Sequence, residues 1–270
     1  MIAAALLALV LASPIIPANI IDGTDDRGSL LALGPSLGLS GDEIRRIRQV
    51  SGHVGCFSPA LKVGSGALFL ADDLVLTAAH MFFEAGKRQT KCYFRAQAPG
   101  ADWITLKAGP GDIRFGAANP KPGSNNDWAI VRLSTPLTGA DPFPPDDTPP
   151  MAGDPLIVVS AHPDGMEDVP LDVPVVQGCT VRRVPISSAA TSFYRTDCDA
   201  SPASSGGMHL HRGADGVLRF RGITISTGPW SDDGLRGAPY DEKAGSVTTA
   251  LGTDAAILAA GNQLVGLPAD

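Results

Sequence analysis

Glycine and proline punctuate this chain so often that they decide what it can fold into. Among 270 residues there are 31 Gly and 23 Pro, roughly a fifth of the chain against an average of roughly 12%. Proline removes a backbone donor and glycine resists ordering, so a long helical bundle is excluded. Short strands joined by turns tolerate such punctuation. Hydrophobic residues make up 44%, enough for a core and too many for wholesale disorder. No fixed-period self-similarity is present, which excludes a repeat solenoid. The formal net charge is −7, and no run of basic residues offsets it. Such a chain is a poor binder of nucleic acid and of anionic membrane surfaces, so neither is expected as a partner of the mature chain.

The strands can be placed. Ser40-Gly41-Asp42-Glu43 has the capping-box pattern and predicts a short helix over Glu43–Gln49, while residues 19–39 read as irregular. β-rich runs follow at Val54–Phe57, Ala67–Leu70, Leu74–Thr77, Tyr93–Ala96, Trp103–Lys107 and Ala129–Leu133, with Asp72-Asp73 as a turn. The proline-rich stretch around residues 139–153 reads as a surface connector. A second series comprises Leu156–Ser160, Val175–Val181, the segment after Gly207, and Leu218–Ser226. The tail from Thr253 predicts a C-terminal helix with Thr253 as its N-cap. Two β-rich halves and a closing helix suggest two small barrels.

Residues 1–18 carry an uncharged apolar run, Ile2–Ala12, too short to span a bilayer. They read as a signal peptide, so a secreted or periplasmic mature protein is expected. The four cysteines, Cys56, Cys92, Cys179 and Cys198, allow three pairings and contain no CxxC pair. In an oxidising compartment two disulfides are expected. Cys56–Cys92 with Cys179–Cys198 is preferred, because each bond then stays within one half.

Three segments carry chemistry. Leu76-Thr77-Ala78-Ala79-His80 ends a strand, Asp127-Trp128-Ala129-Ile130-Val131 opens one, and Asp197–Gly207 is a small-residue loop with Ser205 before a glycine pair. A serine hydroxyl needs a base to take its proton as it attacks. An imidazole titrates near neutrality and can accept that proton and return it. A buried carboxylate fixes the imidazole tautomer, and a loop of small residues lets backbone N–H groups converge on an oxyanion. His209-x-His211 could begin a zinc site, but no third ligand is evident, so no metal and no cofactor is expected. Gly64-Ser65-Gly66 lacks the nucleophile-elbow spacing of an α/β-hydrolase.

In its LTAAH segment, its Asp-Trp-Ala-Ile-Val strand and its Cys-Asp-x-x-x-x-x-Ser-Gly frame, taken in that order, the chain resembles the chymotrypsin-fold serine peptidases. Within them it is most similar to the bacterial glutamyl-endopeptidase-like branch, over about residues 44–262. The resemblance implies an all-β fold of two six-stranded antiparallel barrels with a C-terminal helix. The barrels would occupy residues 44–138 and 154–250, the helix and tail 251–270, and residues 19–43 an N-terminal extension or propeptide. It implies a secreted serine endopeptidase, expected as a monomer, acting on protein or peptide substrates. His80 would be the base, Asp127 its orienting acid and Ser205 the nucleophile, with the N–H groups of Ala203 and Ser205 as the oxyanion hole. Asp199, Ala200, Thr224 and Ile225 would bind substrate.

Two departures stand out. Ala203 replaces the family's glycine, and an altered hole would leave a peptidase-like binding protein instead. Thr224 replaces the histidine of glutamate-specific members, while Asp199 at the pocket floor would favour Lys or Arg.

Overall fold

A computed structural model describes residues 18–185, 193–228 and 236–266. It begins with β1 (Gly28–Ser29), α1 (Leu30–Leu33) and a 3-10 turn over Gly34–Leu37. The segment expected to be irregular is thus partly helical, with Leu30 fully buried as its anchor. Next comes α2 (Gly41–Val50). Ser40 Oγ accepts from the Glu43 amide and the Glu43 carboxylate accepts from the Ser40 amide, completing the capping box.

The first lobe is built from β2 (Ser51–Cys56), β3 (Lys62–Phe69), β4 (Ala71–Thr77), a small hairpin of β5 (Phe83–Glu84) and β6 (Lys87–Arg88), β7 (Cys92–Ala96), β8 (Ile104–Thr105), β9 (Ile113–Phe115) and β10 (Ala129–Arg132). Apart from the hairpin, these form one antiparallel sheet in the order β8-β7-β2-β3-β4-β10-β9. The β3–β4 reversal occurs at Leu70, whose φ is 67°, and not at Asp72-Asp73, which lie inside β4. Their carbonyls accept the Leu137 and Leu133 amides.

The second lobe comprises β11 (Pro155–Ser160), β12 (Val175–Arg183), β13 (Phe193–Thr196), β14 (Met208–Arg212), β15 (Leu218–Thr227) and β16 (Thr248–Gly252). Its order is β12-β11-β14-β15-β16-β13, and β13 pairs back onto β12, so six strands close a barrel; β1 adds outside β12. The first lobe departs from the expected six-stranded barrel. It is an open sheet of seven strands, joined across its gap by the isolated Leu106–Leu133 bridge. The cause is local, because β8 is only two residues long and cannot supply a full ladder.

The helix α3 (Ala255–Val265) closes the chain, capped by Asp254 and not by Thr253. It returns to the first lobe. A Cβ built on Gly261 would lie 2.5 Å from Leu70 Cδ1 and 3.2 Å from Phe69 Cε1, so the bare glycine lets the helix sit close without moving these side chains. Phe69 and Phe220 meet edge to face at 5.5 Å, joining the two lobes in one core. The cysteines pair as Cys56–Cys92 and Cys179–Cys198. Residues 1–17 of the expected signal peptide lie outside the described residues, as do residues 267–270. Among the described residues no helix is long and apolar enough to cross a membrane.

Candidate active site

β4 delivers His80. Its fully buried end, Leu74–Thr77, fixes the strand, and a 3-10 turn over Ala79–Phe82 carries the imidazole out of the core. β10, buried at every position, fixes Asp127 just ahead of it. The Asp127 carboxylate has no solvent exposure. Its Oδ2 lies 2.8 Å from His80 Nδ1 and accepts the Gly123 amide at 2.7 Å, while Oδ1 accepts the His80 amide at 2.8 Å. The acid therefore grips the histidine at backbone and ring. With both carboxylate oxygens accepting, His80 Nδ1 donates, which leaves Nε2 as the acceptor nitrogen of the neutral imidazole.

His80 and Ser205 line one cleft of about 260 Å³, together with Gly123, Ala200, Thr224 and Ser226. Hydrogen bonds to two strands and one within the loop hold the serine loop. The Ser205 carbonyl accepts the Ser65 amide from β3, the Gly206 amide donates to Thr224 of β15, and the Ser204 amide donates to Ser201. Ile225 also lines the cleft.

Ala203 adopts φ 71°, the left-handed conformation that glycine enters freely. Roughly 1–2 kcal/mol of strain is expected for a residue with a Cβ there. The strain is held by contacts on both sides. The Ala203 carbonyl accepts from Ser65 Oγ at 2.8 Å, and the Pro202 carbonyl accepts the Asp164 amide at 3.0 Å. In a planar trans peptide the N–H points opposite the C=O, so the Ala203 N–H is turned away from Asp164. Among the described residues neither the Ala203 nor the Ser205 amide has a protein acceptor. Ser65 itself was not legible as a site residue. The signal for it is the run of small residues around it, since a Cβ on Gly64 would lie 2.9 Å from the Ser205 carbonyl.

Asp199 does not line the cleft, which corrects its expected place at the pocket floor. Its carboxylate points to the N-terminal segment, where Oδ1 and Oδ2 each accept one amide at 2.8 Å, from Ile21 and Asp26. The buried Ile21 amide needs an acceptor where water is scarce, and Asp199 supplies it. Asn19 and Ala200 exchange two backbone bonds, and the buried Arg27 donates to Ser201 Oγ. Residues 19–27 are thus fastened directly to the loop that carries Ser205. With Asp199 turned away, the cleft loses the acid that would favour Lys or Arg.

Burial pushes Asp199 up to about 6 from its ordinary 3.8 and pushes His209 down to about 3 from 6.5. The two act oppositely on stability. Between about pH 4 and 6 the native state keeps a proton on Asp199 that the unfolded chain releases, so this contribution is lost as pH rises. The unfolded chain takes up a proton on His209 below about pH 6.5 that the native state refuses, so that contribution is lost as pH falls. Asp199→Asn should therefore steepen the loss of stability toward acid, by about 1.4 kcal/mol per pH unit between pH 4 and 6. Urea denaturation of both proteins at pH 4.5 and 5.5 measures it. Parallel pH dependence would contradict the assignment.

Among the described residues no group of three or more His, Cys, Asp or Glu side chains could hold a metal. His209 and His211 serve separate contacts, a buried one with Thr224 and a half-buried one with Asp146.

A family model described as a trypsin-like peptidase domain matches residues 64–217. Comparison with curated proteins finds no match. Among solved structures, a Glu endopeptidase in complex with MPD is similar with a TM-score of 0.63 and 12% identity, over 90% of this chain and 98% of that one. Protease Anisep from Arthrobacter nicotinovorans gives 0.54 and 17%, over 81% and 96%. A serine endoprotease from Yersinia pestis gives 0.54 and 16%, over 83% and 65%. At these identities the likenesses speak for the chymotrypsin-like fold. The family match covers more than half of the sequence, and on it the chain belongs to the trypsin-like peptidase domain family.

Proposed function

We propose that the protein is a secreted serine endopeptidase working through an acyl-enzyme. One observation carries this reading: Asp127 grips His80 at two points, and the histidine shares a cleft with Ser205. In the first step Ser205 Oγ attacks the scissile carbonyl carbon, and its proton passes to His80 Nε2. The Ala203 and Ser205 amides stabilise the oxyanion, each such donor being worth roughly 3–4 kcal/mol. As the C–N bond breaks, the leaving amine takes the proton from His80. Water, deprotonated by the same imidazole, then releases the acid and restores Ser205.

Two disulfides support a secreted protein. The tethering of residues 19–27 to the Ser205 loop supports keeping that segment in the working enzyme. The anchored Pro202 and Ala203 carbonyls support a formed oxyanion hole in spite of the missing glycine.

A fluorophosphonate probe tests the reading. The wild-type protein should be labelled at Ser205, and Ser205→Ala and His80→Ala should lose the label. A folded wild-type protein that stays unlabelled would leave a peptidase-like binding protein.

A further inference from the structure

Behind one wall of the cleft lies a hydrogen-bonded line that peptide hydrolysis itself does not use. Tyr194 Oη is 3.0 Å from His209 Nδ1, and His209 Nε2 is 2.8 Å from Thr224 Oγ1. Tyr194 and His209 are completely buried, while Thr224 reaches the cleft. A Cβ on Gly222 would lie 2.7 Å from Tyr194 Oη, so the glycine makes room for the phenol.

The protons in this line can be assigned. His209 is neutral, because burial pushes it down to about 3, and a neutral imidazole has one donor and one acceptor nitrogen. Were Nδ1 the donor, it would serve Tyr194 Oη, and the phenol's own proton would need another acceptor. Among the described residues Tyr194 Oη has no partner except His209. A buried donor would go unpaired, which proteins avoid. With the other tautomer every buried group is satisfied. Tyr194 donates to Nδ1, Nε2–H donates to Thr224 Oγ1, and the Thr224 hydroxyl keeps a proton to give. Among the described residues that hydroxyl has no second partner, so its proton is offered to the cleft.

Among the described residues the cleft carries no Lys, Arg, Asp or Glu in its lining, which around Thr224 includes Ala200, Ile225, Ser226 and Thr227. Among these residues a carboxylate entering the cleft would find no basic side chain, and an ammonium would find no acid. We infer that Tyr194 and His209 are positioning residues that hold Thr224 as a fixed hydrogen-bond donor, and that the cleft selects a neutral carboxamide, glutamine above all, on the acyl side of the cut bond. This specificity rests on the peptidase reading above.

Four peptides differing only at that substrate position, with Gln, Glu, Met or Lys, test it. Values of kcat/KM are compared within each enzyme, so general losses cancel. Fluorophosphonate labelling of Ser205, which needs no such side chain, is measured alongside. The wild-type enzyme should favour Gln over Met, Glu and Lys by about tenfold or more. Thr224→Val should bring the Gln/Met ratio to within about twofold of unity, Thr224→Ser should keep most of it, and Tyr194→Phe should lower it. A labelled wild-type enzyme without Gln preference, or a Thr224→Val variant that keeps it, overturns the relay and leaves the peptidase reading intact. A Tyr194→Phe variant that slows all four peptides equally overturns the positioning role. A wild-type protein neither labelled nor active on any of the four overturns both readings.

Discussion

Replacing Asp127 with Asn is expected to lower kcat by about four orders of magnitude while changing KM little. The argument rests on how many donors the carboxylate receives. Oδ1 takes the His80 amide, and Oδ2 takes both the Gly123 amide and His80 Nδ1. An asparagine has one oxygen and one NH₂ in the same space. If the NH₂ replaces Oδ1, it opposes the His80 amide, and two donors face each other. If it replaces Oδ2, it opposes Gly123 and forces His80 Nδ1 to become the acceptor. The imidazole proton then moves to Nε2, and the nitrogen facing the cleft can no longer take a proton from Ser205. Both placements damage the base, and neither alters the pocket that holds the substrate side chain, which is why KM is spared. Steady-state kinetics on a single peptide checks the split between kcat and KM. A loss below about tenfold would mean that Asp127 does not set the tautomer of His80.

The parts of this site legible in the sequence are those held by neighbours along the chain. LTAAH reads as the end of a buried strand, and β4 does end three residues before His80. Asp127 precedes an unbroken apolar run, which is how a strand buried on both faces reads. The capping box at Ser40 is satisfied within three residues. What escaped reading depends on partners far away. Nothing around Asp199 tells which way its carboxylate points, because the amides that capture it belong to residues 21 and 26, more than 170 positions earlier. Likewise His209 reads as an ordinary strand residue. Its place behind the cleft is set by the pairing of β14 with β15, where a register shift between His209 and Leu210 re-aims the side chain. Leu30–Leu37 was hidden for another reason. Its Gly34-Pro35 pair argues against helix, and burial of Leu30 overrides that local preference.

Gly206→Ala should cost about 3–5 kcal/mol of stability, a large share of the roughly 5–15 kcal/mol that holds a native protein together. Two penalties combine at this residue. Its φ is +83°, where a side chain costs roughly 1–2 kcal/mol. The added Cβ would also lie 2.0 Å from the Ser65 carbonyl oxygen and 2.3 Å from Thr77 Oγ1. Those two atoms are already joined by a 2.7 Å hydrogen bond that locks β3 to β4 just ahead of His80. The methyl group cannot be accommodated by rotating a flexible side chain, because the nearer contact is backbone. Either the Ser65–Thr77 bond opens or the Ser205 loop withdraws, and withdrawal breaks the bonds from Ser65 N to Ser205 O and from Gly206 N to Thr224 O. At roughly 2–4 °C per kcal/mol for a chain of this size, the midpoint of thermal unfolding should fall by about 10 °C. Differential scanning calorimetry measures that fall. Fluorophosphonate labelling of the fraction still folded at 20 °C should drop as well, since the loop that withdraws is the one that carries Ser205, the proposed nucleophile. A variant that melts within about 2 °C of the wild type would mean that the loop and β3 are not in contact at this point.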